Sequence, residues 1–238
     1  MRMYEEELAH LKLAVGLPSY DGRAVYAEPL MYLARQVPHA VPIQVSSSLL
    51  ALTFNMTLCA ALKMRQTGEA THFLMLHDDI APCGREWFMD LWQAYRDSTA
   101  QLIAAVVPVK DERGFTSTAC ESFPWGGKPR RYTMTEVMKM PAETFSEPGI
   151  LLNTGCMLFD LREPWVDKCH FEVKDSIQWV NGEPCPQSAS EDWNFTRQAR
   201  ENGCSRIYAT RAVKLVHFGR QMFPNYQAWG KPHDDGSA

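Results

Sequence analysis

The amino-acid sequence predicts an α/β fold with a mostly parallel central sheet flanked by helices. Two observations carry this expectation. Short apolar runs of strand length, such as Leu11–Leu17, His72–Leu76 and Leu102–Val107, read as buried strands. They alternate with segments whose apolar residues recur at helical spacing, the order that builds a parallel sheet. A hydrophobic fraction of 45% in 238 residues supplies apolar side chains for a sizeable core.

The elements follow in order. Leu11–Leu17 stops at Pro18, Ser19, Tyr20, Asp21 and Gly22, a strand running into a loop. Tyr26, Leu30, Leu33 and Val37 then mark a helix, with Pro29 acceptable near its first turn. Ile43–Ser47 is a second strand, and Leu52, Met56 and Cys59 mark a helix closed by Thr67 and Gly68. His72–Leu76 ends in His77, Asp78 and Asp79. Trp87, Phe88, Leu91, Trp92 and Tyr95 form a helical stripe before the strand Leu102–Val107. Between residues 110 and 150, Gly114, Pro124, Gly126, Gly127, Pro129, Pro141 and Pro148 predict mostly loops. Gly155–Phe159 is a strand, Glu191–Asn202 a helix closed by Gly203, and Ala212–Val216 a final strand ending at His217. The expected organisation is one domain over 1–238, with a nucleotide-binding half at about 11–109, an acceptor half at about 110–220 and a frayed tail at 230–238.

Bulk properties exclude some classes. A formal charge of −4 gives no global attraction to nucleic acid or anionic membrane. The longest apolar run is too short to span a bilayer, and the acidic N-terminus lacks an apolar signal core, so a cytoplasmic location is expected. Seven cysteines without a Cys-x-x-Cys pair read as reduced, small core residues.

Three constellations bear chemistry. His77-Asp78-Asp79-Ile80-Ala81-Pro82 closes a strand, where side chains project past the sheet edge and carboxylates can hold a hard divalent cation. Glu191 and Asp192 open a helix. The dipole and a capping box from Ser188 to Glu191 account for Glu191, which leaves Asp192 as a candidate general base. His217 ends the last apolar strand, and neutral imidazole suits a metal such as manganese.

Taken in order, these segments resemble the GT-A glycosyltransferases, especially their large inverting group. The matching stretches are VGLPSYDG, the helix SLLALTFNMTLCAAL with Asn55, HDDIAP, NTGCMLFDL, EDWNFTRQARENG and LVHFG, over roughly residues 11–220. The resemblance implies transfer of a sugar from a nucleotide-sugar donor, a UDP-sugar first, to a hydroxyl acceptor with inversion. It implies donor contacts from Pro18, Ser19, Tyr20, Asp21, Asn55, His77, Asp78 and Gly155. Asp79 and His217 would hold Mn2+ or Mg2+. Asp192 would act as base, with Glu191 the next candidate. The pattern departs from the family at His77, which stands where the first acid is usual.

For the acceptor, Lys128, Arg130 and Arg131 concentrate charge beside Trp125 and Tyr132, with Lys110 and Arg113 just upstream. Together with Trp193 they could grip a polyanion, such as DNA carrying hydroxymethylated pyrimidines, glycosylated by some compact viral relatives; a glycan is the alternative. Rival readings are a sugar-nucleotide nucleotidyltransferase, a metal phosphohydrolase and an inactive carbohydrate-binding relative. The first usually has a glycine-rich basic loop, whereas LPSYDGR holds one glycine and one arginine. The second usually places its His-Asp pair on helices, whereas HFLMLHDD reads as a strand.

Overall fold

A computed structural model of the chain describes residues 4–19, 25–121, 129–219 and 221–230. Its first half contains α1 (Glu5–His10), β1 (Leu13–Ser19), α2 (Ala27–Gln36), β2 (Ala40–Ser46), α3 (Leu50–Gln66), β3 (His72–Leu76), β4 (Ile80–Pro82), α4 (Trp87–Asp97) and β5 (Leu102–Ala105). There follow β6 (Phe115–Cys120), β7 (Arg130–Thr133), α5 (Met134–Lys139), β8 (Thr144–Phe145), β9 (Ile150–Leu151) and β10 (Cys156–Asp160). The last stretch holds β11 (Lys174–Val180), β12 (Glu183–Ala189), α6 (Glu191–Glu201), β13 (Ile207–Thr210), β14 (Leu215–Phe218) and β15 (Met222–Pro224).

The fold is α/β, with a mostly parallel central sheet flanked by helices. Seven strands lie in the order β2-β1-β3-β10-β5-β13-β8, with only β10 and β8 antiparallel to their neighbours. Strand periodicity sorts the side chains into two layers. Ala14, Phe73, Met75, Met157 and Phe159 face Phe54 and Leu58 of α3 and Phe195 of α6. Leu13, Val15, Leu74, Leu76 and Leu158 face Leu33 of α2 and Trp87, Phe88, Leu91 and Trp92 of α4. Each fully buried Leu or Phe contributes about 1.5–3 kcal/mol. The sheet is therefore a dry slab, and reactive groups are confined to its rim.

Several expectations need correction. The core face of α3 is Thr53, Phe54, Thr57, Leu58 and Ala61, while Leu52, Met56 and Cys59 are exposed. That helix is apolar nearly all round, so spacing does not fix its phase. The predicted loops of 110–150 contain β6, β7, α5, β8 and β9. The expected capping box at Ser188 does not form: Ser188 lies in β12, and the N-cap Ser190 makes no side-chain cap bond. A capping box is present instead at Thr133 and Glu136, opening α5. β14 is followed by a further strand, β15. Of the seven cysteines, Cys156, Cys169 and Cys204 are buried and Cys59 is exposed. No helix among the described residues is long and apolar enough to cross a membrane.

Candidate functional site

One rim of the sheet gathers the chemistry. β1 and β3 end there, and the antiparallel β10 begins there. The Ser19 hydroxyl at the end of β1 donates to Asp78 Oδ2 at 2.6 Å, tying the two strand ends together. The His77 N–H donates to the Gly155 carbonyl at 3.0 Å, joining β3 to the turn before β10. That turn is braced by Asn153, whose amide donates to the Ala105 carbonyl at 2.8 Å and whose Oδ1 accepts from the Gly155 N–H at 3.0 Å. A Cβ on Gly155 would press Val107, Asn153 and Ile80 at 3.2–3.3 Å.

Asp79 and His217 meet across the small sheet β15-β14-β4, where His217 pairs with Ile80. His217 Nε2 lies 3.4 Å from Asp79 Oδ2, and Lys110 Nζ also bonds that oxygen. His217 Nδ1 lies 2.7 Å from the Pro108 carbonyl. A carbonyl only accepts, so Nδ1 carries the proton and Nε2 is the nitrogen turned to Asp79. Buried Asn225 donates to the Val106 and Val213 carbonyls and accepts from Leu215 N–H, which fixes β14 beneath this corner. Burial alone would raise the Asp79 carboxyl, but His217 and Lys110 beside it outweigh that and hold the group far below the usual range. Asp79 Oδ1 is buried and has no hydrogen-bond partner.

The third part of the site is a line of hydrogen bonds. Thr154, fully buried, donates its hydroxyl to Asp192 Oδ1 at 2.5 Å. Its oxygen faces His77 Nε2 at 3.1 Å. Because the Thr154 proton is engaged with Asp192, Nε2 must be the donor in that contact. Burial pushes the His77 imidazole down to about 4, so it is neutral, and its ring packs on Phe54 with centroids 4.7 Å apart. Asp192 sits in the first turn of α6, where the helix dipole would lower its pKa. Burial and the neighbouring Glu191 charge prevail over the Thr154 bond and Arg131, and raise the carboxyl to about 7. A carboxylate titrating there can accept a proton at neutral pH.

The remaining predicted residues fall in three groups. Pro18 and Ser19 lie in the buried end of β1, while Tyr20 and Asp21 are outside the described residues. The Asn55 side chain is committed to the Phe171 backbone, donating to its carbonyl at 2.7 Å and accepting from its N–H at 2.8 Å. The basic patch is not continuous among the described residues. Lys110 turns to Asp79, Arg113 pairs with Asp111, and Arg130 pairs with Glu136 at 2.6 Å. The Arg131 guanidinium stacks over Trp193, 4.5 Å from its centroid, and Trp193 donates its indole N–H to the Ser117 carbonyl at 2.9 Å. Lys128 and Trp125 lie outside the described residues. Sequence reasoning missed Thr154 and the placement of Lys110. For Thr154 the signal was its position beside Gly155 in NTG.

Neither a protein-family model nor a curated protein matches the sequence. In three dimensions the chain is similar to A197 from STIV, with a TM-score of 0.52 and 14% identity over 93% of this chain and 95% of that one. The two share a fold. Fainter likenesses reach mannose-1-phosphate geranyltransferase from Thermus thermophilus, with a TM-score of 0.44 and 12% identity over 86% of this chain and 76% of that one. Another is UDP-glucose pyrophosphorylase complexed with UDP-glucose, with a TM-score of 0.36 and 10% identity over 89% and 77%.

Proposed function

We propose that this protein transfers a sugar from a nucleotide-sugar donor to a hydroxyl acceptor by single displacement, with Asp192 as the general base. The observation that carries this reading is the unbroken line His77–Thr154–Asp192. It couples the strand end bearing Asp79 to a carboxylate whose proton affinity suits base catalysis near neutral pH. The acceptor oxygen attacks the anomeric carbon and its proton passes to Asp192. The bond from that carbon to the diphosphate breaks, and the nucleoside diphosphate leaves with the electron pair. Attack opposite the leaving group inverts the anomeric carbon.

The leaving diphosphate requires positive charge, and the Asp79 corner is suited to provide it. A divalent cation fits the donor set: the unpartnered Asp79 Oδ1 is an orphan acceptor, and His217 Nε2 is the ring nitrogen free of the Pro108 bond. Among the described residues no group of three or more His, Cys, Asp or Glu is placed to hold a metal ion. Asp79 and His217 would be the side chains that hold Mg2+ or Mn2+. When bound, the ion would neutralise charge on the leaving group. Lys110 supplies a fixed ammonium at the same corner. His77, being neutral, adds no negative charge to the line that ends at Asp192.

Incubating the protein with UDP-glucose, UDP-N-acetylglucosamine and GDP-mannose, with and without Mn2+, tests the reading. Release of a nucleoside diphosphate supports it. Release of pyrophosphate from a nucleoside triphosphate and a sugar 1-phosphate would replace it with nucleotidyl transfer.

A further inference from the structure

We propose that the groove beneath the β11–β12 hairpin is an acceptor site for a neutral saccharide. This rests on the transfer reading above and goes beyond it by naming the acceptor class. The hairpin turns at Asn181 and Gly182, with φ of 53° and 85°, and runs back to Ala189 immediately before α6. Of α6, Trp193 lines the groove, one residue along the chain from Asp192. Its volume is about 700 Å³, and its lining includes Lys174, Ser176, Gln178, Val180, Gln187 and Trp193. Small-molecule sites occupy about 300–1,000 Å³, so a short oligosaccharide fits.

The lining chemistry selects the class. Ser176 and Gln187 are directly paired across the hairpin, and Gln178 is two residues further along β11, so all three share its inner face. Amides and hydroxyls both donate and accept, which matches sugar hydroxyls. Trp193 adds an aromatic surface for the apolar side of a sugar ring, held in place by its bond to Ser117 and by Arg131 on its face. A polyanion would instead require several available cations. Within the groove the lysine is Lys174, which is paired with Glu172 at 2.8 Å. Beside the groove, Arg130 is paired with Glu136. The opposite face of the hairpin carries Ile177 and Trp179, both over 70% exposed, and is apolar rather than basic.

The test uses the full chain with the nucleotide sugar it hydrolyses. Candidate acceptors are maltotetraose, cellotetraose, chitotetraose and mannotetraose, against heparin fragments and duplex DNA containing hydroxymethylated pyrimidines. The expected result is transfer to at least one neutral oligosaccharide, with little dependence on added salt. The double variant Gln178→Ala, Gln187→Ala, shown to be folded by its melting curve, should raise the acceptor KM at least ten-fold with a smaller change in kcat. An unchanged KM, or transfer confined to DNA or heparin, overturns the groove assignment and leaves glycosyl transfer standing. If the wild type releases no nucleoside diphosphate from any donor, the transfer reading itself fails and the acceptor role falls with it.

Discussion

Replacing Thr154 with valine probes the line between His77 and Asp192 without opening a cavity, because the two side chains have nearly the same volume. The Thr154 hydroxyl bonds Asp192 Oδ1 at 2.5 Å and stabilises the charged carboxylate. A hydrogen bond to a charged group is worth about 1.5–3 kcal/mol, and about 1.4 kcal/mol corresponds to one pH unit of titration. Removing it makes the proton harder to lose, adding to burial and to Glu191, with Arg131 and the backbone of residue 154 still opposing them. Asp192 must be deprotonated to act, so activity rises with pH through its pKa. The acid limb of kcat/KM, near pH 7 in the wild type, should move up by about one to two pH units in Thr154→Val. At pH 7 this is roughly a five- to fifty-fold loss that recovers substantially by pH 9. Thr154→Ser keeps the hydroxyl and should restore the wild-type profile. A valine variant that is slower at every pH, with its limb unmoved, would show that Thr154 only packs.

Other outcomes follow from the same geometry. Asp192→Asn should lower transfer by about two to four orders of magnitude while donor binding by calorimetry survives. The same variant should be more stable than the wild type at pH 8, read as a higher Tm. The sign follows from a folded-state pKa raised from 3.8 to about 7, which removes stability from the wild type as pH rises through that window; the gain should vanish near pH 4. Asp79→Ala should abolish and His217→Ala should weaken Mn2+ binding measured by proton relaxation in the presence of UDP, and wild-type transfer that persists in chelator would refute the metal assignment. Phe195→Ala removes a fully buried ring stacked on Phe171 at 4.2 Å and should cost about 3–5 kcal/mol in urea denaturation. A cost below about 1 kcal/mol would place the α6 anchor elsewhere.

Legibility in the sequence followed physical cause. α4 was readable because its aromatic stripe faces the sheet on one side only, and β1, β3 and β5 because they are buried throughout and mostly apolar. α3 was misphased because Leu50, Leu52 and Met56 are apolar yet 42–47% exposed. The β11–β12 hairpin had its signal in Asn181-Gly182, whose positive φ values suit a tight hairpin turn, but Pro184 and Pro186 obscure the second strand. β13 and β8 are two- to four-residue strands stabilised by pairing rather than by local pattern. Within the site, residues at strand and helix ends were visible as types: Asp79, Asp192, His217. Their partners were not. The contacts Thr154–Asp192 and Lys110–Asp79 span 38 and 31 residues, and only the topology brings them together. Lys110 therefore looked like one more member of a basic run.

The most direct measurement is nucleoside diphosphate release from a nucleotide sugar by the wild type and by Asp192→Asn, with donor affinity determined for both. The account predicts release by the wild type, release lowered at least a hundred-fold in the variant, and equal donor affinity. Equal release by the two proteins, or donor binding without release by the wild type, would contradict it.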